Sequence, residues 1–168
     1  MEKITTIISI VQTFIMLSSA GILISQLSSQ NRWNRKKASQ DLIYELHKGD
    51  MLEISKEFDR LVPNEKFYNS TYAKFIKELS SEEEKEKIKK VLRIYLNYFE
   101  GIAIGIKNGI HAEGLLYDYI GFRLPTIVKW AKGYIEEQRK LAGNSTIYQE
   151  VEKVAEKWEK LLEREKEI

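Results

Sequence analysis

The sequence predicts an all-α protein, with one N-terminal transmembrane helix followed by a small bundle of about five to six helices. Three observations carry that expectation. An uncharged stretch opens the chain, proline and glycine are sparse at two and nine in 168 residues, and Glu, Lys, Leu and Ile fill long runs that favour helix on intrinsic propensity. The length suits a single core with an appendage. The expected organisation is an outer tail at 1–3, a membrane helix at 4–27, a juxtamembrane helix at 28–48 and a helical cytosolic domain at 49–168.

Residues 4–27 carry no charge. As a helix they rise roughly 36 Å, enough for a hydrocarbon core about 30 Å thick. Arg32, Trp33, Arg35, Lys36 and Lys37 follow at once. Basic residues flanking a span stay on the cytoplasmic side and tryptophan favours the headgroup layer, so these five are the expected lipid-headgroup contacts. The expected place is the inner cell membrane, single-pass, with the N-terminus outside and the C-terminal domain in the cytoplasm. A cleaved signal peptide fits less well, because the leading Glu2 and Lys3 cancel and the apolar run is long. A buried or interfacial helix is the other alternative, since hydroxyl and amide side chains dilute the stretch.

Those polar residues share a face. Thr5, Ser9, Gln12, Met16, Ser19, Leu23 and Gln26 follow alternating spacings of four and three. A stripe carrying Thr5, Ser9, Gln12, Ser19 and Gln26 is costly against lipid and favours a protein partner or a second copy. Hydroxyls bonding to their own backbone are the plainer account, and a pore lining is the extreme one.

Beyond the stretch, Ala38, Leu42 and Leu46 form an apolar seam, and Gly49 and Asp50 break the helix, with Asp50 placed to cap a helix at 51–61. Pro63 and Asn64 mark a loop, and a short helix is expected at about 70–79. Ser81 and Glu84 form a capping box for a long helix to Asn108, with Gly109 suited to its left-handed end. Helices at 111–120, about 124–141 and from the loop 142–145 onward complete the chain.

The long helix reads VLRIYLNYFEGIAIGI over 91–106, apolar almost all round, and predicts a central buried element. Gly101, Gly105 and Gly109 lie four apart. Interior helical glycine costs about 1 kcal/mol against alanine, so this ridge predicts close approach of another backbone. Arg93 and Asn97 extend the ridge and Glu100 flanks it. Arg93, Asn97, Glu100 and Arg123 are therefore the candidate polar cluster, either a network that fixes helix docking or a small-ligand pocket. In the last helix Ile147, Val151, Val154, Trp158 and Leu161 sit at heptad spacing, for packing on the bundle or for a coiled coil.

The chemistry that the sequence excludes is broad. There is no cysteine, and two histidines, His47 and His111, sit in no metal-ligand spacing. The glycines of GIAIGIKNG follow no strand and lack phosphate-loop spacing. A net charge of +2 speaks against nucleic acid. No cofactor, metal or catalytic residue is expected, and the chain reads as a non-enzyme.

The stretch NYFEGIAIGIKNGIHAEGLLYDYIG resembles a family of short bacterial proteins classed as a domain of unknown function, whose core runs N-[FY]-[FW]-E-x-[IVL]-A-x-G-[IV]-x-x-G-[IV]. Asn97, Tyr98, Phe99, Glu100, Ala103, Gly105, Gly109 and Ile110 match it, and Glu113, Leu115, Gly121 and Trp130 fit the family pattern further along the chain. The resemblance implies an N-terminal membrane helix and a helical domain, and no activity. The function expected is a membrane-anchored interaction or regulatory module, with the membrane and either a second copy or a protein partner as its contacts. Phe67, Tyr68, Tyr72 and Phe75 are equally suited to a docking surface or to the core. A pore- or lesion-forming effector is the first alternative, and a membrane-surface enzyme or sensor using Glu100 is the second.

Overall fold

A computed structural model describes the backbone over residues 2–167 and the side chains over 12–167. The described residues form eight helices and no strand: α1 (Glu2–His47), α2 (Asp50–Leu61), α3 (Asn64–Asn69), α4 (Tyr72–Glu78), α5 (Glu82–Lys107), α6 (Glu113–Ile120), α7 (Arg123–Ala142) and α8 (Gln149–Glu165). The all-α class stands, with more helices than the five to six expected beyond the anchor. The extra one is α3, where Pro63 opens a short turn of helix in a stretch that reads as loop.

Local signals fixed several helix ends. Ser81 Oγ accepts the Glu84 N–H at 3.3 Å, Thr71 Oγ1 accepts that of Lys74, and Gly109 takes the left-handed φ of 69° beyond α5. Asp50 does not cap α2. Gly49 occupies that position at φ 97°, with Asp50 as the first helical residue.

The core lies where α5, α7 and α8 meet, with α2 and α4 closing the sides. Trp130 of α7 is 3 % exposed and stands against Phe58, Phe67, Tyr72 and Phe75. Phe67, Tyr72 and Phe75 are thus core residues, whereas Tyr68 is exposed and stacks on Phe122. Trp158 of α8 is fully buried against Tyr117, and Val151, Val154 and Ala155 are buried with it. The apolar seam of α8 is spent on its own bundle.

α5 is less enclosed than its composition suggests. Leu92, Leu96, Phe99, Ile102 and Ala103 are buried, but Gly101, Ile104 and Asn108 form an exposed strip. A Cβ at Gly101 or at Gly109 meets nothing within 4 Å, and at Gly105 it meets the His111 ring, 2.6 Å from Nε2. The glycine ridge is therefore not a backbone-to-backbone contact. The helix-to-helix approach is made instead by Gly133 of α7, where a Cβ would stand 3.2 Å from that of Ala73. Gly101→Ala is expected to stabilise the chain by about 0.5–1 kcal/mol, since it removes a helical glycine without a collision. A urea melt checks this, and a loss of stability would mean that Gly101 is covered.

α1 departs from the rest. Every side chain over 12–37 is exposed, and burial against the bundle begins at Ala38 and Ser39. Phe14, Met16, Leu17 and Ile24 are each about two-thirds exposed or more (72, 73, 68 and 67 %). Among the described residues no helix is long and apolar enough to cross a membrane. The stretch 4–11, with Thr5 and Ser9 of the polar stripe, lies outside the described side chains.

Candidate functional site

Two polar assemblies tie the helices of this fold to one another, and of the predicted cluster only Asn97 and Glu100 belong to one of them, with Arg93 and Arg123 placed elsewhere. The first assembly is on α5. Asn97 and Glu100 are one turn apart and face the chain where it enters α8. Glu100 accepts the backbone N–H groups of Val151 at 2.7 Å and Glu150 at 3.3 Å, so its carboxylate caps α8 from another helix. Two otherwise unpaired donors and the positive end of the helix dipole are satisfied together. Asn97 Oδ1 accepts the Tyr148 hydroxyl at 2.8 Å. Tyr148 is the sole non-glycine residue with positive φ among those described, at 60°, a conformation that costs a bulky side chain about 1–3 kcal/mol. Asn97 and Glu100 thus grip both sides of a strained corner.

Arg139 supports the same corner, donating to the Ile147 carbonyl at 2.9 Å and pairing with Glu152. An open groove of about 560 Å³ runs beside it, lined by Asn97, Glu100, Gln138, Leu141, Thr146 and Tyr148 among others. Arg93 lies further along α5 in a neighbouring groove with Tyr134 and Gln138. Its charge opposes the rise that burial imposes on the Tyr134 and Tyr148 hydroxyls, with Tyr134 still pushed up to about 12.

Arg123 does not join them. Its guanidinium reaches Asp59 at 2.9 Å and Ser55 at 3.1 Å, beside the Tyr95 ring, and ties α7 to α2. Lys107 turns to Glu150 at 2.9 Å rather than to Glu100. A carboxylate whose two oxygens each accept a backbone N–H acts here as a cap for α8. Among the described residues no group of three or more His, Asp or Glu side chains is placed to hold a metal.

The second assembly joins α1 to the bundle, and its buried anchor, Ser39, carries no signal in the sequence. Ser39 is fully buried, donating to the Arg35 carbonyl at 2.9 Å and accepting the Ala112 N–H at 2.8 Å. Arg35 donates to the His111 carbonyl at 3.2 Å. His111 packs its ring on Gly105, and its Nδ1 is buried with no hydrogen-bond partner. Gly105 in turn accepts the N–H groups of Ile110 at 2.8 Å and His111 at 3.2 Å through its carbonyl. Just beyond, Glu113 takes Trp158 Nε1 at 3.0 Å and Lys157 at 2.6 Å, locking α6 to α8. Arg35 is thus a strut between α1 and the bundle, while Arg32, Trp33, Lys36 and Lys37 stand exposed, with the Lys37 ammonium 5.4 Å from the Trp33 ring centre.

Burial lowers the His111 pKa below its usual 6.5. The unfolded chain then binds more protons than the folded one over that range. Its contribution to stability is complete above pH 6.5 and is lost as the pH falls through the folded value. Glu113 behaves likewise at lower pH. Burial raises its pKa, but the hydrogen bonds from Lys157 and Trp158 outweigh that and lower it, so its contribution fades as pH falls below 4.5. Denaturant melts should show stability falling from pH 7 toward 5, with a flatter profile for His111→Gln. An unchanged slope in that variant would sink the assignment.

The family described as a domain of unknown function (DUF4760) matches the chain over residues 8–158, and the chain belongs to it. No curated protein and no solved structure matches it. The matched range takes in most of α1, both polar assemblies and Trp158.

Proposed function

We propose that this DUF4760 member is a membrane-anchored helical module, in which the apolar length of α1 lies in the bilayer and the bundle of α2–α8 works at the cytosolic face as an interaction or regulatory unit. One observation carries the reading: a helix that leaves over 12–37 every side chain exposed, including Phe14, Ile15, Met16, Leu17, Ile22, Leu23, Ile24 and Leu27. Apolar surface on that scale needs a cover that this bundle does not provide. The uncharged residues that precede it in sequence lengthen the stretch to a membrane-spanning one. Arg32, Lys36 and Lys37 then stand at the anionic inner leaflet and set the N-terminus outside.

Gln12, Ser19 and Gln26 favour association of anchors, because amides in lipid seek one another. Copies paired along this stripe bring two bundles together, which suits a scaffold for a protein partner. The test is flotation of the full chain with phosphatidylcholine–phosphatidylglycerol liposomes. Ile15→Asp with Ile22→Asp places two carboxylates on exposed positions of α1, each opposed by about 2.5–3.5 kcal/mol in a bilayer. The unsubstituted chain floats and the doubly substituted one stays at the bottom. Equal flotation of both would refute the anchor.

A further inference from the structure

We propose that the turn 108–112 is a second membrane contact, which lays the bundle against the anionic bilayer surface in one fixed orientation. It deepens the anchor reading and rests on it. Ile110 is 54 % exposed at the apex of this turn, an unusual place for a branched aliphatic side chain, and Lys107 and Asn108 beside it are exposed as well. The turn does not hang loose. Gly105 holds it through two backbone bonds, and Arg35 and Ser39 bolt it to α1.

Its height is set by those same bonds. Arg35 is about 12 Å of helix rise beyond Leu27, the last apolar residue of the stretch. α5 runs opposite to α1, since Tyr98 donates to the Leu42 carbonyl while the later Gly105 meets His111 at the level of Arg35. The end of α5 beyond Gly105 therefore overhangs toward the membrane by about one turn, roughly 5 Å. That brings Ile110 to about 7 Å from the hydrocarbon edge, within the headgroup layer. The charge around it fits anionic lipid. Residues 28–40 of α1 hold Arg32, Arg35, Lys36 and Lys37 and no acidic side chain, whereas Lys107 on the overhang is paired with Glu150. The opposite end of the bundle is marked by His47 against Tyr119, roughly 18 Å further along α1 from Arg35, and by the exposed Tyr68 and Phe122.

The chain has no cysteine, so single labels report cleanly. Ile110→Cys, Tyr68→Cys and Phe14→Cys, each carrying an environment-sensitive fluorophore, are placed as full chains in nanodiscs of phosphatidylcholine, with and without phosphatidylglycerol, containing headgroup-quencher lipid. Quenching at 110 but not at 68 is expected, with a docked-to-undocked ratio roughly fivefold higher in the anionic discs, the effect of one basic contact at such a surface. If the label at 14 reports lipid while that at 110 behaves like that at 68, the second contact is overturned and the anchor stands. If neither 14 nor 110 reports lipid, both fall.

Discussion

Replacing Glu100 by alanine is expected to cost about 3 kcal/mol and to lower the melting temperature by roughly 6–12 °C. Two backbone donors at the start of α8, from Glu150 and Val151, lose a charged acceptor at once. Charge-assisted hydrogen bonds of this kind each contribute about 1.5–3 kcal/mol. The strain at Tyr148 is then left to Asn97 and to Arg139. Glu100→Gln keeps one acceptor oxygen and should lose about half as much. Asn97→Ala should cost about 1 kcal/mol, and because it grips the same corner its effect should not add to that of Glu100→Ala. Thermal melts by circular dichroism decide the ranking. A neutral Glu100→Ala would show that the carboxylate does not hold α8 in solution.

A methyl group at Gly105 is expected to destabilise the chain by about 2 kcal/mol, although alanine is the better helix former. The new Cβ would overlap the half-buried His111 imidazole, whose Nδ1 edge is already buried. The damage should travel to the α1 joint, since the His111 carbonyl takes Arg35 and the next residue's N–H bonds Ser39. Hydrogen exchange at Ala112 should rise with Gly105→Ala and stay unchanged with Gly101→Ala. The opposite signs at two glycines four residues apart come from one difference, a histidine ring at one and solvent at the other.

That contrast also marks how far the sequence could be read. Helix type and several helix ends were legible because they depend on local chemistry: Ser81 before Glu84, Gly109 after Asn108, the sparse proline. The value of Glu100 was legible as an acid set in an apolar stretch. Its partner was not, because the backbone of α8 lies some fifty residues away and carries no side-chain signature. Arg123 looked like a counterion for the same reason, yet α2 supplies Asp59 and Ser55 nearer to hand. Ser39 gave no signal, as a serine on a polar-looking helix turn is ordinary until the Ala112 amide is brought against it. Spacing alone gave Gly101, Gly105 and Gly109 one shared role. Tertiary packing left Gly101 and Gly109 beside open space and set the His111 ring against Gly105.

The central claim, that α1 lies in a bilayer, is tested most directly by alkaline extraction of membranes from cells producing the full chain. An integral helix keeps the chain in the membrane pellet at high pH, where protein–protein attachments release, and that is the expected result. Release into the supernatant would contradict the account. It would mean that protein, a second copy or another chain, covers the apolar length of α1.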